Sequence, residues 1–116
     1  LYGGETIVTN ETSFGVYLKN LIKLSGMSQS EFYTKLGIKK PYFYDIVSGR
    51  VNPPPLQQQM KIVEILSIDA EKQCEFFDLA AKERGDLPAD IVKWVSEDPS
   101  AITCIRGEMH TKIKGA

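Results

Sequence analysis

Residues 28–52 read SQSEFYTKLGIKKPYFYDIVSGRVN, a stretch that spells two short helices joined by a sharp turn. Ser28 followed three residues later by Glu31 has the form of a capping box opening the first helix. Phe32 and Leu36 recur at i, i+4, and Gly37 stops the helix as a left-handed C′ residue does. Ile38 serves as the apolar plug of the turn. A second helix follows from about Lys40, with Tyr42, Phe43, Ile46 and Val47 at helical spacing and Gly49 at its end. Two helices joined by a three- or four-residue turn containing Gly form a helix-turn-helix, whose second helix can lie in the major groove of DNA. Double-stranded DNA is therefore the first partner to consider.

The 116 residues suffice for one domain with a real core and no need of a disulfide or metal. Hydrophobic residues at 42% and charged residues at 25% place the chain among ordinary globular proteins. Its first residues, LYGGETIVTNET, have neither a basic n-region nor a long apolar run, so no signal peptide is expected. No stretch approaches the roughly 20 apolar residues needed to span a bilayer, which points to a cytoplasmic protein without a membrane partner. Cys74 and Cys104 are then expected as reduced, buried structural thiols.

The net charge of −1 argues against indiscriminate binding to nucleic acid, but the charge is unevenly spread. Residues 1–60 carry six Lys/Arg against four Asp/Glu, a balance of +2, and residues 61–116 carry eight against eleven, a balance of −3. Within 28–52, Lys35, Lys39, Lys40 and Arg50 stand against Glu31 and Asp45. A weakly basic face on an otherwise acidic chain fits site-specific binding better than a coating function.

Outward from the motif everything patterned is helical. A first helix starts after Ser13 and ends before Gly26, with Phe14, Tyr17, Leu18, Leu21 and Ile22 as its buried stripe. Pro53, Pro54 and Pro55 form a stiff connector into a fourth helix over about 56–66, whose Leu56, Met60, Ile62, Val63 and Leu66 make a wide core face. Asp69 caps a fifth helix to about Arg84, with Ala70, Cys74, Phe77 and Ala81 on one face and Phe76 and Ala80 adjoining. Residues 89–97 suggest a sixth helix carrying Ile91, Val92, Trp94 and Val95, and Asp98-Pro99 opens a last helix over about 100–112. The tail KIKGA is expected to fray. Residues 85–116 are too few to fold alone, so their apolar side chains pack on the rest of the domain or on a second subunit.

The run GMSQSEFYTKLGIKKPYFYDIVSGRVNPPP resembles the lambda/Cro-repressor-like, or Xre-type, helix-turn-helix regulators. The matching features are Gly26 with Gln29 three residues on, Leu36-Gly37-Ile38, Tyr42-Phe43, Asp45-Ile46, Gly49 and Asn52-Pro53. With its flanking helices the likeness covers residues 13–84, with the motif at 28–48. It implies an all-α, lambda-repressor-like five-helix DNA-binding domain, followed over 85–116 by a short C-terminal helical extension. That extension looks like those on regulators of mobile genetic elements.

The resemblance also implies roles. Gln29 falls where members touch a backbone phosphate. Lys39, Lys40, Tyr42 and Tyr44 fall where side chains of the recognition helix reach base edges or nearby phosphates, and Ser48, Arg50 and Asn52 where the chain runs along the sugar-phosphate backbone. Lys can donate to guanine O6 and N7, and Tyr offers a hydroxyl and a ring for a thymine methyl. Tyr42 has a second reading, as a ring packed against the first motif helix. Asp45 would repel phosphate and suits a cytosine amine or a neighbouring group instead.

Three departures stand out. Tyr33 occupies the close approach of the two motif helices, where members carry a small residue, so its ring must swing outward or the helices part. Pro41 lies in the first turn of the recognition helix, where its missing N–H is tolerated. Ile22 and Val47 replace an Arg–Glu ion pair common in the family, and as an apolar pair they are expected to touch.

Catalytic chemistry is hard to assemble here. His110 is the only histidine, the two cysteines lack metal-ligand spacing, Glu97-Asp98 serves a helix end, and Gly3-Gly4 in the leader is no phosphate loop. The sequence therefore points to a transcriptional regulator rather than an enzyme. The expected protein is a repressor from a bacterium or its phage, a homodimer on a palindromic site that needs no cofactor. The alternative is a protein-interaction module on the same fold, an antitoxin or a phage inhibitor of a host protein, that also regulates its own gene.

Overall fold

The computed structural model describes residues 12–115, and every regular element in them is a helix. In chain order these are α1 (Phe14–Ser25), α2 (Gln29–Leu36), α3 (Lys40–Ser48), α4 (Leu56–Leu66), α5 (Ala70–Arg84), α6 (Ala89–Glu97) and α7 (Pro99–Gly115). The leader with Gly3-Gly4 lies outside the described residues. No helix is long and apolar enough to cross a membrane among those described.

Local chemistry sets most of the boundaries. The Ser13 hydroxyl accepts from the Val16 amide, Ser28 from Glu31 and the Asp69 carboxylate from Lys72, each satisfying one of the free donors of a helix start. Only half of the capping box at Ser28 forms, because Glu31 turns its carboxylate to Lys35 at 3.5 Å. Gly37 ends α2 at φ +84°, and the Ile38 amide donates back to the Tyr33 carbonyl, closing the turn. Ile38 packs there against the core. Asp98 receives both the amide and the hydroxyl of Ser100, fixing the start of α7. α7 begins one residue earlier than expected and remains helical to Gly115, through most of the tail expected to fray.

The core lies among α1 to α5. Phe14, Tyr17, Leu18 and Ile22 of α1 are nearly inaccessible, as are Phe32 of α2, Phe43 of α3, Ile62 of α4 and Phe76 and Phe77 of α5. Burying each such side chain contributes about 1.5–3 kcal/mol. The Phe14 and Phe76 rings stand 5.2 Å apart and those of Phe32 and Phe43 5.9 Å, so α1 meets α5 and α2 meets α3 through aromatic pairs. Glu83 of α5 accepts from the Phe14 amide at 2.6 Å, placing a carboxylate on the positive end of α1. The Tyr17 hydroxyl donates to Glu75 at 2.6 Å.

Several sequence expectations need correction. Cys74 and Cys104 are exposed rather than buried. α5 is turned so that Phe76, Phe77, Leu79, Ala80 and Ala81 face inward, and Ala70 and Cys74 face out. The helix presents apolar residues around much of its girth, and the phenylalanines, with more area to bury, win the inner side. In α4 the buried residues are Gln59, Ile62 and Leu66, with Leu56, Met60 and Val63 half-buried beside them. Gln59 is 3% exposed because its amide donates to the Pro54 carbonyl at 2.8 Å.

Candidate nucleic-acid interface

The side of α3 turned from the core carries Lys40, Tyr44 and Ser48 at i, i+4 and i+8, all exposed, with Lys39 exposed at the N-cap. That spacing aligns them along one side of the helix, while Phe43 and Ile46 hold the opposite side in the core. Pro41 sits in the first turn and leaves the hydrogen bonds of the helix intact, since Phe43 is the first amide to bond back, to the Lys39 carbonyl. The Lys40 ammonium stands 6.0 Å from the centre of the Tyr44 ring, within cation–π reach.

Gln29 joins this row from the start of α2. The Tyr44 hydroxyl donates to its side-chain carbonyl at 3.5 Å, a long contact that brings the two side chains to one surface and leaves the Gln29 amide free of any contact to Tyr44. Beside Gln29 lies a shallow depression formed by Lys19, Asn20, Lys23 and Met27. These two lysines of α1 were not among the sequence-derived candidates. Their i, i+4 spacing was a readable signal of a shared helix side, but their position next to Gln29 comes from the packing of α1 on α2.

The chain beyond α3 is held from below. Gly49 turns at φ +81°, and the Arg50 and Val51 amides donate to the Asp45 carbonyl. Arg84 of α5 donates to the Pro53 carbonyl at 2.8 Å, next to the Gln59 bond to Pro54, so the proline connector is tied at two successive carbonyls. Arg50, Ser48 and Asn52 are exposed on this anchored segment. The Arg50 guanidinium lies 3.3 Å from the Asp45 carboxylate in an open pair, three-quarters exposed on the Arg side. The Ser48 hydroxyl donates to the Asp45 carbonyl at 3.2 Å and must turn away to donate to a ligand. Asp45 thus acts on its neighbours, through its carbonyl and its carboxylate.

Tyr42 is half-buried and packs against the core, unlike the other candidates on α3. Tyr33 meets its steric problem by laying its ring on Phe43, with centroids 5.4 Å apart and the ring half-exposed. Val47 makes a close approach to α1 at Gly15 and packs against the core cluster that includes Ile22. The chain matches no family model, no curated protein and no solved structure.

Proposed function

We propose that this protein is a sequence-specific DNA-binding regulator of transcription, a repressor built on a lambda/Cro-repressor-like domain over residues 13–84, and that α3 enters the major groove of its operator. The support is the exposed row Lys40, Tyr44 and Ser48 on α3, flanked by Lys39 and Arg50 and joined to Gln29 through the Tyr44 hydroxyl. Lys39, Lys40 and Tyr44 supply donors and a ring for base edges, while Gln29, Ser48, Arg50 and Asn52 reach the flanking phosphates. Lys19 and Lys23, beside Gln29, extend the cationic surface along the backbone. The protein works from the cytoplasm as a homodimer on a palindromic site, because two-fold readers pair half-sites about one helical turn apart.

A second reading, an interaction module that caps a toxin or a host protein, draws on one observation, the uncovered apolar side of α6 and α7. A gel shift on DNA from upstream of the protein's own gene, run across a salt series, tests the first reading. A specific complex whose affinity falls with salt is expected. Equal affinity for that DNA and for unrelated duplex would remove the claim of sequence specificity.

A further inference from the structure

Eight of the twelve large exposed hydrophobic side chains among the described residues fall between Leu87 and Ile113. The other four, Val16, Leu24, Tyr44 and Val51, are scattered over α1, α3 and the segment after it. Leu87, just before α6, falls with Ile91 and Val95 of α6 at i, i+4 and i+8, and Ile102, Ile105 and Met109 align along α7 at i, i+3 and i+7. Ile113 continues the second stripe by one more turn. Leu87, Ile91, Val95, Ile102, Ile105 and Met109 line one apolar groove of about 450 Å³ between the helices, and Trp94 and Ile113 are exposed outside that lining. Among the described residues Ala101 is the one buried side chain of α7, and the exposed stripe of that helix is left uncovered by α1 to α5.

We infer that this face is the dimer interface, and that the α6–α7 hairpin of a second copy closes over it to form a four-helix bundle. The amount of surface fits. The exposed fractions of the eight side chains between Leu87 and Ile113 leave on the order of 800 Å² in all, close to what each partner brings to an interface of standard size. The spacing fits as well, since Ile102, Ile105 and Met109 follow the 3-4 repeat of a helix seam.

Charge is compatible with a second copy. Residues 87–113 carry Lys93, Arg106 and Lys112 against Asp90, Glu97, Asp98 and Glu108, a balance of −1. Two such surfaces meet without strong repulsion. A strongly charged protein or an anionic lipid surface finds no matching field, since the rim lacks the basic excess that lipid binding uses. Arg106 borders the groove, and no ion pair holds it among the described residues, so it is available to a carboxylate across the two-fold axis. Cys104 lies on the other side of α7 from the stripe and takes no part.

The inference deepens the homodimer reading above, and its test is run without DNA, so that its failure and a failure to bind DNA are separately visible. Sedimentation equilibrium of the full chain under reducing conditions is expected to give twice the 13.0 kDa chain mass at micromolar concentration. The double variant I105E/M109E, at positions already half-exposed, should keep the helical circular dichroism and weaken the dimer by roughly 100-fold or more. Leu24→Glu, at an exposed position on α1, should leave it unchanged. A wild-type chain that stays monomeric, or a dimer that survives I105E/M109E, would overturn the inference. If the double variant loses its helical signal, the milder Ile105→Ala and Met109→Ala must each weaken the dimer. An unchanged dimer in both overturns it equally.

Discussion

Gly15 of α1 lies directly against the backbone of Val47 on α3. A β-carbon on Gly15 would overlap the Val47 carbonyl group and stand 2.8 Å from the Val47 Cα. The helix behind the candidate DNA-reading surface is therefore seated on bare backbone, and the depth of that seat sets where Lys40, Tyr44 and Ser48 project.

Gly15→Ala is expected to destabilise the protein by about 1–3 kcal/mol, because the obstructing atoms are main chain and cannot turn aside. Helix propensity alone gives the opposite sign, a gain of at most about 0.5–1 kcal/mol, the value for a glycine in mid-helix, since Gly15 lies in the first turn of α1. Urea denaturation of the two proteins decides between them. A stabilised variant would mean that α3 is not seated on Gly15.

Tyr17 links folding to pH. It is 1% exposed, and burial first, then the hydrogen bond to Glu75, push its phenol well above the ordinary value of 10.0. The unfolded chain gives up this proton first as pH rises, so the contribution to stability is complete below the ordinary phenol value. Above it the stability falls, until the native phenol itself ionises. Relative to Tyr17→Phe, the wild type should lose up to about 1.4 kcal/mol per pH unit above about pH 10. Unfolding midpoints of both proteins on either side of that value measure the difference, and parallel pH profiles would show that Tyr17 does not carry it.

Lys40→Ala combined with Arg50→Ala should weaken operator binding and flatten the dependence of log affinity on log salt by about 0.9 for each phosphate the protein no longer neutralises. Lys112→Ala, on the extension, should leave the slope as it is. An unchanged slope in the double variant would place the DNA elsewhere on the protein.

Asp45 restrains Arg50 through their 3.3 Å ion pair. Asp45→Asn removes that partner and one negative charge from the proposed interface. Binding to unrelated duplex should tighten, and its salt slope should steepen by up to about one unit as Arg50 reaches a phosphate. Weaker binding to every duplex tested would instead mean that Asp45 touches the DNA itself.

What was legible in the sequence was what neighbours along the chain decide. Ser13, Ser28 and Asp69 each satisfy an amide three residues on, and Gly26, Gly37, Gly49 and Gly85 each take the left-handed turn that stops a helix. The candidates on α3 came from the family resemblance, and the structure leaves Lys40, Tyr44 and Ser48 exposed opposite Phe43 and Ile46 while half-burying Tyr42. An all-α chain was determined at that level.

Tertiary structure decided which side of a helix is covered when more than one side is apolar. It turned α5 onto Phe76 and Phe77 and left Cys74 outside. It placed Gly15 under Val47, a meeting of residues 32 apart with no local signature, and brought Lys19 and Lys23 beside Gln29. It also left the stripes of α6 and α7 open to solvent. Capping and helical spacing are properties of a few adjacent residues, so the sequence by itself settled them. Burial is a competition among all surfaces of the molecule, and the folded arrangement alone resolves it.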